Sequence, residues 1–396
     1  MWTNFLPYHV ARIRHLRNRL QSLGWSLTAI EVASKDALYP FPEDTSKREN
    51  DYICLFSGES YRELSPYIIH RKAVRVLESI QPDAVIAPST PFPSGMASVK
   101  YCFDHDKLCI MMDDAWEYSD KRGFIVTATK KIIHRNVDAA FIPAPSHTSY
   151  YIRMGFPPER IFYGVDVVDN DFFSAAAETA RGQAGALRRA LNLPSKYFIF
   201  VGRFIARKGI TTLLEAYRRY SESAQENAWG LVLVGDGDER QHCEEAMHGF
   251  PGVRFVGSQF GEQLCTYYGL ASAFILPSTV ETWGLVANEA LASQLPVIIS
   301  KGCGAGRALV EEGNNGWTFD PGDSGTLSRL MLELTKMPAE RLLAMGLRSK
   351  EIIAGFSLDT FADSVVSAAS LPLREPGGIL ADLLTKFWNG RISFYP

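Results

Sequence analysis

The chain has 396 residues, 46% hydrophobic and 21% charged, with a net charge of −3. That length exceeds one ordinary core and suits two globular domains, and the charge balance leaves no footprint for general nucleic-acid binding. No long unbroken apolar run is present, and the N-terminus lacks the basic start, apolar middle and small-residue cleavage site of a signal peptide. No spanning helix is expected, and a cytoplasmic location is the default.

The chain opens with WTNF, short for the buried strand that usually begins a doubly wound domain. A truncated first strand is expected, and residues upstream of Met1 would explain it. The turn LPYH leads into the helical run VARIRHLRNRLQSLG, where Arg12, Arg14, Arg17 and Arg19 flank an apolar stripe of Val10, Ile13, Leu16 and Leu20. Such a helix is read first as a sheet-covering helix with its arginines in water, and second as a membrane-surface helix.

Strand candidates follow at residues 26–33, 51–56, 83–89, 107–113 and 138–144, with helices between them. Small and polar residues then replace the apolar pattern, so 171–195 reads as a linker. Alternation resumes with strands at 197–203, 230–236, 253–258, 273–278 and 295–300. The pattern predicts an α/β protein with two Rossmann-like, doubly wound parallel-sheet domains, 1–170 and 196–370, and a tail from 371 to 396. The six cysteines include no CxxC pair and read as reduced thiols, without a zinc site.

Two loops carry the chemistry. The segment ETWGLVANE follows the buried run AFILPST, which places Glu281 in a strand-to-helix loop and Glu289 about one turn into the helix. In GRFIARKG, Arg203 and Lys208 flank a tight passage from a strand into a helix. Two cations beside a helix N-terminus suit a diphosphate, because the Arg fork chelates oxygens and Lys supplies a mobile charge. Both loops lie at strand carboxyl ends, where open α/β sheets bind ligands. The ligand would carry adjacent phosphates and several hydroxyls.

Other features read less specifically. Asp236-Gly-Asp238 and Asp104-His-Asp106 spell DxD, a divalent-metal pattern, but their positions suit turns and caps better. His9 and Asp113-Asp114 lie at predicted strand ends of the first domain, as acceptor-side candidates or as capping residues. Trp116 flanks that position or packs. The tail carries a stripe of Ile379, Leu380, Leu383, Leu384, Phe387 and Trp388, read first as packing and second as peripheral membrane contact.

The patterns GRFIARKG and ETWGLVANE, with LVLVGDGDE and EEGNNGWTFDPGD, resemble those of the family 4 glycosyltransferases, retaining enzymes with two Rossmann-like domains in the GT-B arrangement. The resemblance covers roughly residues 135 to 370 well and the N-terminal third only in outline; GVDVVDNDFF is similar to the family's stretch at the end of the first domain. By position it implies that Arg203 and Lys208, beside Gly202, bind the donor diphosphate, Glu281 the sugar hydroxyls and Glu289 the ribose. The N–H groups of Gly284, Leu285 and Val286 would face phosphate or sugar oxygens, and Phe255, Val256 and Gly257 would line the base pocket. Thr282 and Trp283 depart from the family's usual Gly-Phe and are expected to reshape the sugar pocket. The resemblance also implies a tail helix crossing back to the first domain, a nucleoside diphosphate sugar as co-substrate, a carbohydrate or lipid-linked acceptor, and neither cofactor nor metal. A nucleotide-sugar 2-epimerase and a non-catalytic nucleotide-sugar-binding protein remain as alternatives.

Overall fold

The computed structural model describes residues 1–35, 52–119, 123–375 and 377–390. In chain order these form α1 (Pro7–Gln21), β1 (Ala29–Lys35), β2 (Tyr52–Ser60), α2 (Pro66–Ile80), β3 (Ala84–Pro88), α3 (Pro93–His105), β4 (Leu108–Met112), α4 (Phe124–Ile133), β5 (Ala139–Ile142), α5 (Thr148–Arg153) and β6 (Ile161–Tyr163). Next come α6 (Asn170–Gly182), α7 (Ala184–Ala190), β7 (Tyr197–Val201), α8 (Ile210–Ala224), β8 (Gly230–Val234), α9 (Arg240–Ala246), β9 (Val253–Gly257), α10 (Gly261–Leu270) and β10 (Ala273–Leu276). The remainder is α11 (Leu285–Ala292), β11 (Val297–Ser300), α12 (Gly304–Leu309), β12 (Gly316–Phe319), α13 (Ser324–Lys336), α14 (Ala339–Ala354), α15 (Leu358–Ala369) and α16 (Ile379–Phe387).

The chain divides into two compact units, Met1–Val167 with Leu358–Pro396, and Val168–Ser357. In the first, β3-β4-β5-β6 form one parallel sheet and β1-β2 another parallel pair. The expected short first strand is an extended segment of about three residues: Trp2 N–H donates to Ile30 O, and Val32 and Ala33 N–H donate to Trp2 and Thr3 O. The Met1 nitrogen donates to Ile86 O on β3. The candidate strand at 51–56 extends from Tyr52 to Ser60, and the residues before it lie outside the described set.

The arginines of α1 are not all in water. Arg12 is 2% exposed and donates through Nε and Nη2 to Val167 O, and Arg17 is also buried. His15 and Arg19 pair with Asp359 (2.7 Å) and Asp363 (2.9 Å) on α15. Leu358 returns to this unit and α15 covers the basic side of α1, with Phe361 packing 5.2 Å from Phe141. The return therefore falls before residue 371, and α1 offers no open basic stripe for a membrane.

The second unit carries one six-stranded parallel sheet in the order β12-β11-β10-β7-β8-β9. Its central strands β7, β8 and β10 are apolar throughout because helices cover both faces of such sheets. The segment expected as a linker is instead α6 and α7, within this unit. Its small residues serve close packing: Ala177 and Ala180 are buried, and a Cβ added at Gly269 of α10 would lie 2.6 Å from Ala177 O. Asn170 Nδ2 donates to Ile353 O and Phe356 O, tying the start of α6 to the end of α14. Among the described residues one stretch, Ala339–Ala369, has the length and hydropathy of a spanning helix. It is broken at Gly355–Ser357 into α14 and α15, of 16 and 12 residues, each short of the roughly 20 needed to span. All six cysteines are unpaired thiols.

Candidate active site

The strand order reverses between β7 and β10: the chain runs from β7 outward through β8 and β9, then returns to β10, β11 and β12 on the other side. Such a switch point leaves a crevice at the carboxyl ends of the two central strands. The Arg203–Lys208 loop leaves β7 and the Glu281 loop leaves β10, so both motifs flank this crevice. Thr279 locks the loops together, its N–H and Oγ1 donating to Arg207 O at 2.8 and 3.1 Å. The loop after β11 joins them: Glu281 N–H donates to Gly302 O, and Gly304 and Ala305 N–H donate to Glu281 O and Trp283 O.

Each loop ends in a glycine that starts a helix in the left-handed region, Gly209 (φ +66°) before α8 and Gly284 (φ +104°) before α11. At Gly209 a Cβ would also lie 2.2 Å from Pro277 O, which no side chain tolerates. No side chain caps either helix. Two helix N-termini with their partial positive charge therefore border the crevice, next to the cations.

Inside it, Lys208 Nζ donates to Glu281 Oε2 at 2.6 Å, and Ser278 Oγ donates to the same oxygen at 3.0 Å. Burial alone pushes the Glu281 carboxyl up, but Lys208, Arg207 and Ser278 outweigh it and hold it below its ordinary range. The Glu281 carboxylate is therefore ionised at neutral pH, and the Lys208 amine retains further donors for a second partner. Glu289 lies in the second turn of α11 and is buried; burial raises its carboxyl to about 7, opposed by the Tyr268 hydroxyl, which donates to it at 2.8 Å.

Trp283 does not present its ring to a ligand. It is 1% exposed, its indole N–H donates to Asn288 Oδ1 (2.9 Å), and it packs 5.8 Å from Phe356. Thr282, Leu285 and Val286 are half-buried beside it. Phe255, Val256 and Gly257 are half-buried at the end of β9, where Gly257 O accepts from Gly235 N–H and Phe255 packs on Phe204. Gly202 joins this row of strand ends through its N–H to Val234 O, and Arg203 follows it, half-buried.

In the first unit His9 serves its own helix: Nδ1 accepts from Leu6 N–H at 3.0 Å, and burial together with the Arg12 charge keeps the ring neutral. Asp113 and Asp114 follow β4 and lead into a turn closed by Ser119 and Trp116, so they cap no helix. Their charges act on Arg12 and Asp166, the latter 3.8 Å from Arg12 and raised to about 6 by burial. The first carboxylate of each DxD is engaged locally. Asp236 accepts from Gly237 N–H and pairs with Arg240, while Asp104 pairs with Lys100.

Sequence reasoning missed Ser278, Tyr268, Asn288, Arg12 and Asp166. Ser278 stood at the end of its strand run, three residues before Glu281, and that spacing was a usable signal. The others act across 12 or more positions or within the core, where no local pattern points to them.

Residues 186–351 match the family model for glycosyl transferases group 1. Most of the second unit is thus similar to a group 1 glycosyl transferase domain. Curated relatives include the sulfoquinovosyl transferase of Arabidopsis thaliana, 28% identical over 197 residues, covering 49% of this chain and 37% of that protein. Another is the GDP-mannose-dependent alpha-mannosyltransferase of Mycobacterium tuberculosis, 31% identical over 193 residues, with 48% and 46% covered. The match thus spans a third to a half of the length of such relatives. The whole architecture is shared with solved glycosyltransferases. That of Rickettsia africae gives a TM-score of 0.70 at 14% identity over 93% of this chain and 96% of that one. HepE of Anabaena, solved with UDP and glucose, gives 0.67 at 15% identity over 93% and 99%. The fold is GT-B.

Proposed function

We propose that the chain is a retaining, metal-independent family 4 glycosyltransferase that moves a sugar from a nucleoside diphosphate to a hydroxyl of a carbohydrate or lipid-linked acceptor. The observation that carries this reading is the Lys208–Glu281 pair, with Lys208 buried and Glu281 half-buried, set between two uncapped, glycine-started helix N-termini at the switch point. The family match to residues 186–351 supports it. So do the names of relatives that transfer sulfoquinovose and mannose or act in lipopolysaccharide core biosynthesis.

In this reading Glu281 orients the Lys208 ammonium and accepts from sugar hydroxyls with its remaining acceptor capacity. Lys208, Arg203 and the N–H groups at the start of α11 take the charge that develops as the bond from the anomeric carbon to the phosphate oxygen breaks. The acceptor oxygen bonds that carbon on the face the phosphate leaves, and the acceptor proton passes to the departing phosphate oxygen. No protein nucleophile is used. These cations and dipoles supply the charge that a metal would otherwise provide. Glu289 accepts from the ribose in its ionised form.

A panel of nucleoside diphosphate sugars incubated with sugar and lipid-linked acceptors, followed by NMR, tests the reading. Transfer with the donor's anomeric configuration kept in the product is expected. Donor epimerisation without acceptor, or inversion, would sink it.

A further inference from the structure

Among the described residues, the first unit leaves an apolar face uncovered where α4 and α16 pack against each other. At the start of α4, Phe124 and Ile125 are 87% and 80% exposed, and Val126 is exposed beside them. The helix α16 docks by its polar and small residues: Ala381 and Thr385 are buried, and Asn136 Nδ2 donates to Asp382 Oδ1 and Thr385 Oγ1. Its apolar stripe points away from the unit, with Ile379 81% and Phe387 77% exposed and Leu380 and Leu383 open to solvent. The stripe that sequence reading assigns to packing is thus inverted. A surface helix normally turns such a stripe inward, and exposed apolar patches of this kind mark interaction surfaces.

The charges nearby have one dominant sign. From Phe124 to Asn136 there are Lys130, Lys131 and Arg135 and no carboxylate; Lys131 and Arg135 are exposed. Arg160 and Arg135 lie near enough to Arg374 that their charges act on its guanidinium, as do those of Asp138 and Glu159. Arg160 donates to Pro372 O and Arg374 to His134 O, and Leu373 is exposed between those two anchor points. Of the acids present, Asp138 accepts from Arg374 N–H and Asp382 from Asn136, while Glu159 and Glu375 are exposed, so the cations still outnumber the acids. This local excess of cations stands against a net charge of −3 for the chain.

We propose that this face, the outward apolar side chains of α4 and α16 with Arg135, Arg160 and Arg374 beside them, seats the first unit on an anionic lipid bilayer. Phe and Ile tips enter the boundary between headgroups and acyl chains while neighbouring arginines meet the phosphates, the combination that holds interfacial helices. A second copy of this chain fits less well. A two-fold interface would bring the same arginine cluster against itself. The proposal does not rest on sugar transfer, since none of the switch-point residues belongs to this face.

Co-sedimentation of the full chain with phosphatidylcholine vesicles, with and without phosphatidylglycerol, tests it. Binding to the anionic vesicles at low salt is expected, with little to the neutral ones. Phe124→Ser combined with Phe387→Ser should lower partitioning by about tenfold or more, and Arg135→Gln by about fivefold. Both positions of the pair are exposed, so the melting temperature and nucleotide binding should stay unchanged. Absence of binding to anionic vesicles, or equal binding by the apolar variant, would overturn the proposal. So would a lipid-free dimer that Phe387→Ser dissociates while vesicle binding persists.

Discussion

The carboxyl edges of the two sheets hold their charges on different terms. In the second unit Lys208 and Glu281 meet at 2.6 Å in loops fixed by backbone hydrogen bonds, next to helix N-termini that no side chain caps. In the first, Arg12 is consumed by Val167 O and Asp166, and His9 turns back to its own helix. The same edge of a parallel sheet can thus present charge to a ligand or use it to hold the chain's return. What decides is whether internal partners satisfy all of a group's donors or leave some free for a ligand.

Removing each cation is the strongest way to break that contrast. Lys208→Met should lower transfer by about a thousandfold or more and also lower stability by up to about 3 kcal/mol, because the half-buried Glu281 loses its partner. Adding Glu281→Gln should restore most of the stability, read by urea denaturation, and none of the transfer. Arg12→Met should cost about 3–5 kcal/mol with nucleotide affinity unchanged by calorimetry. A loss of affinity at full stability would place Arg12 on the ligand side and erase the contrast.

Smaller changes sharpen it. Gly284→Ala forces a side chain into φ +104° and should destabilise by about 1–3 kcal/mol, with weaker nucleotide binding. Glu289 gives a pH test. Its folded pKa, about 7, lies above the ordinary 4.5, so the folded state holds a proton that the unfolded chain has released between those values. Its contribution to stability is therefore full below about 4.5 and is lost as pH rises through 7. A ribose needs the ionised form, so donor affinity should fall about tenfold per pH unit below 7 and become flat in Glu289→Gln. A wild-type profile identical to the variant's would remove Glu289 from the ligand. Ser278→Ala, which deletes one hydrogen bond to Glu281, should cost only about 1 kcal/mol and less than tenfold in affinity.

The sequence revealed the second unit far better than the first, and the reason is range. Arg203, Lys208, Glu281 and Glu289 sit in short strand-to-helix passages, where a glycine, a cation and a carboxylate at fixed offsets define the geometry. The alternation of apolar runs located every central strand of that sheet. The first unit depends on contacts between distant positions: Arg12 with Val167, His15 with Asp359, Asn136 with Asp382. No spacing shows these. The residues 171–195 looked like a linker because alanine and glycine suit both loops and close helix contacts, and only Ala177 against Gly269 distinguishes the two. Trp283 misled for a related reason: its place in the motif suggested a ligand, while Asn288, one turn on, takes its indole N–H into the core.

Calorimetric titration of the full chain with UDP, GDP and ADP, each against its monophosphate, tests most directly whether the crevice between β7 and β10 is a diphosphate site. At least one diphosphate should bind ten or more times tighter than its monophosphate, by roughly 1.4 kcal/mol or more, and that advantage should vanish in Lys208→Met/Glu281→Gln. Equal affinity for diphosphate and monophosphate, or an advantage that survives in the double variant, would contradict the assignment.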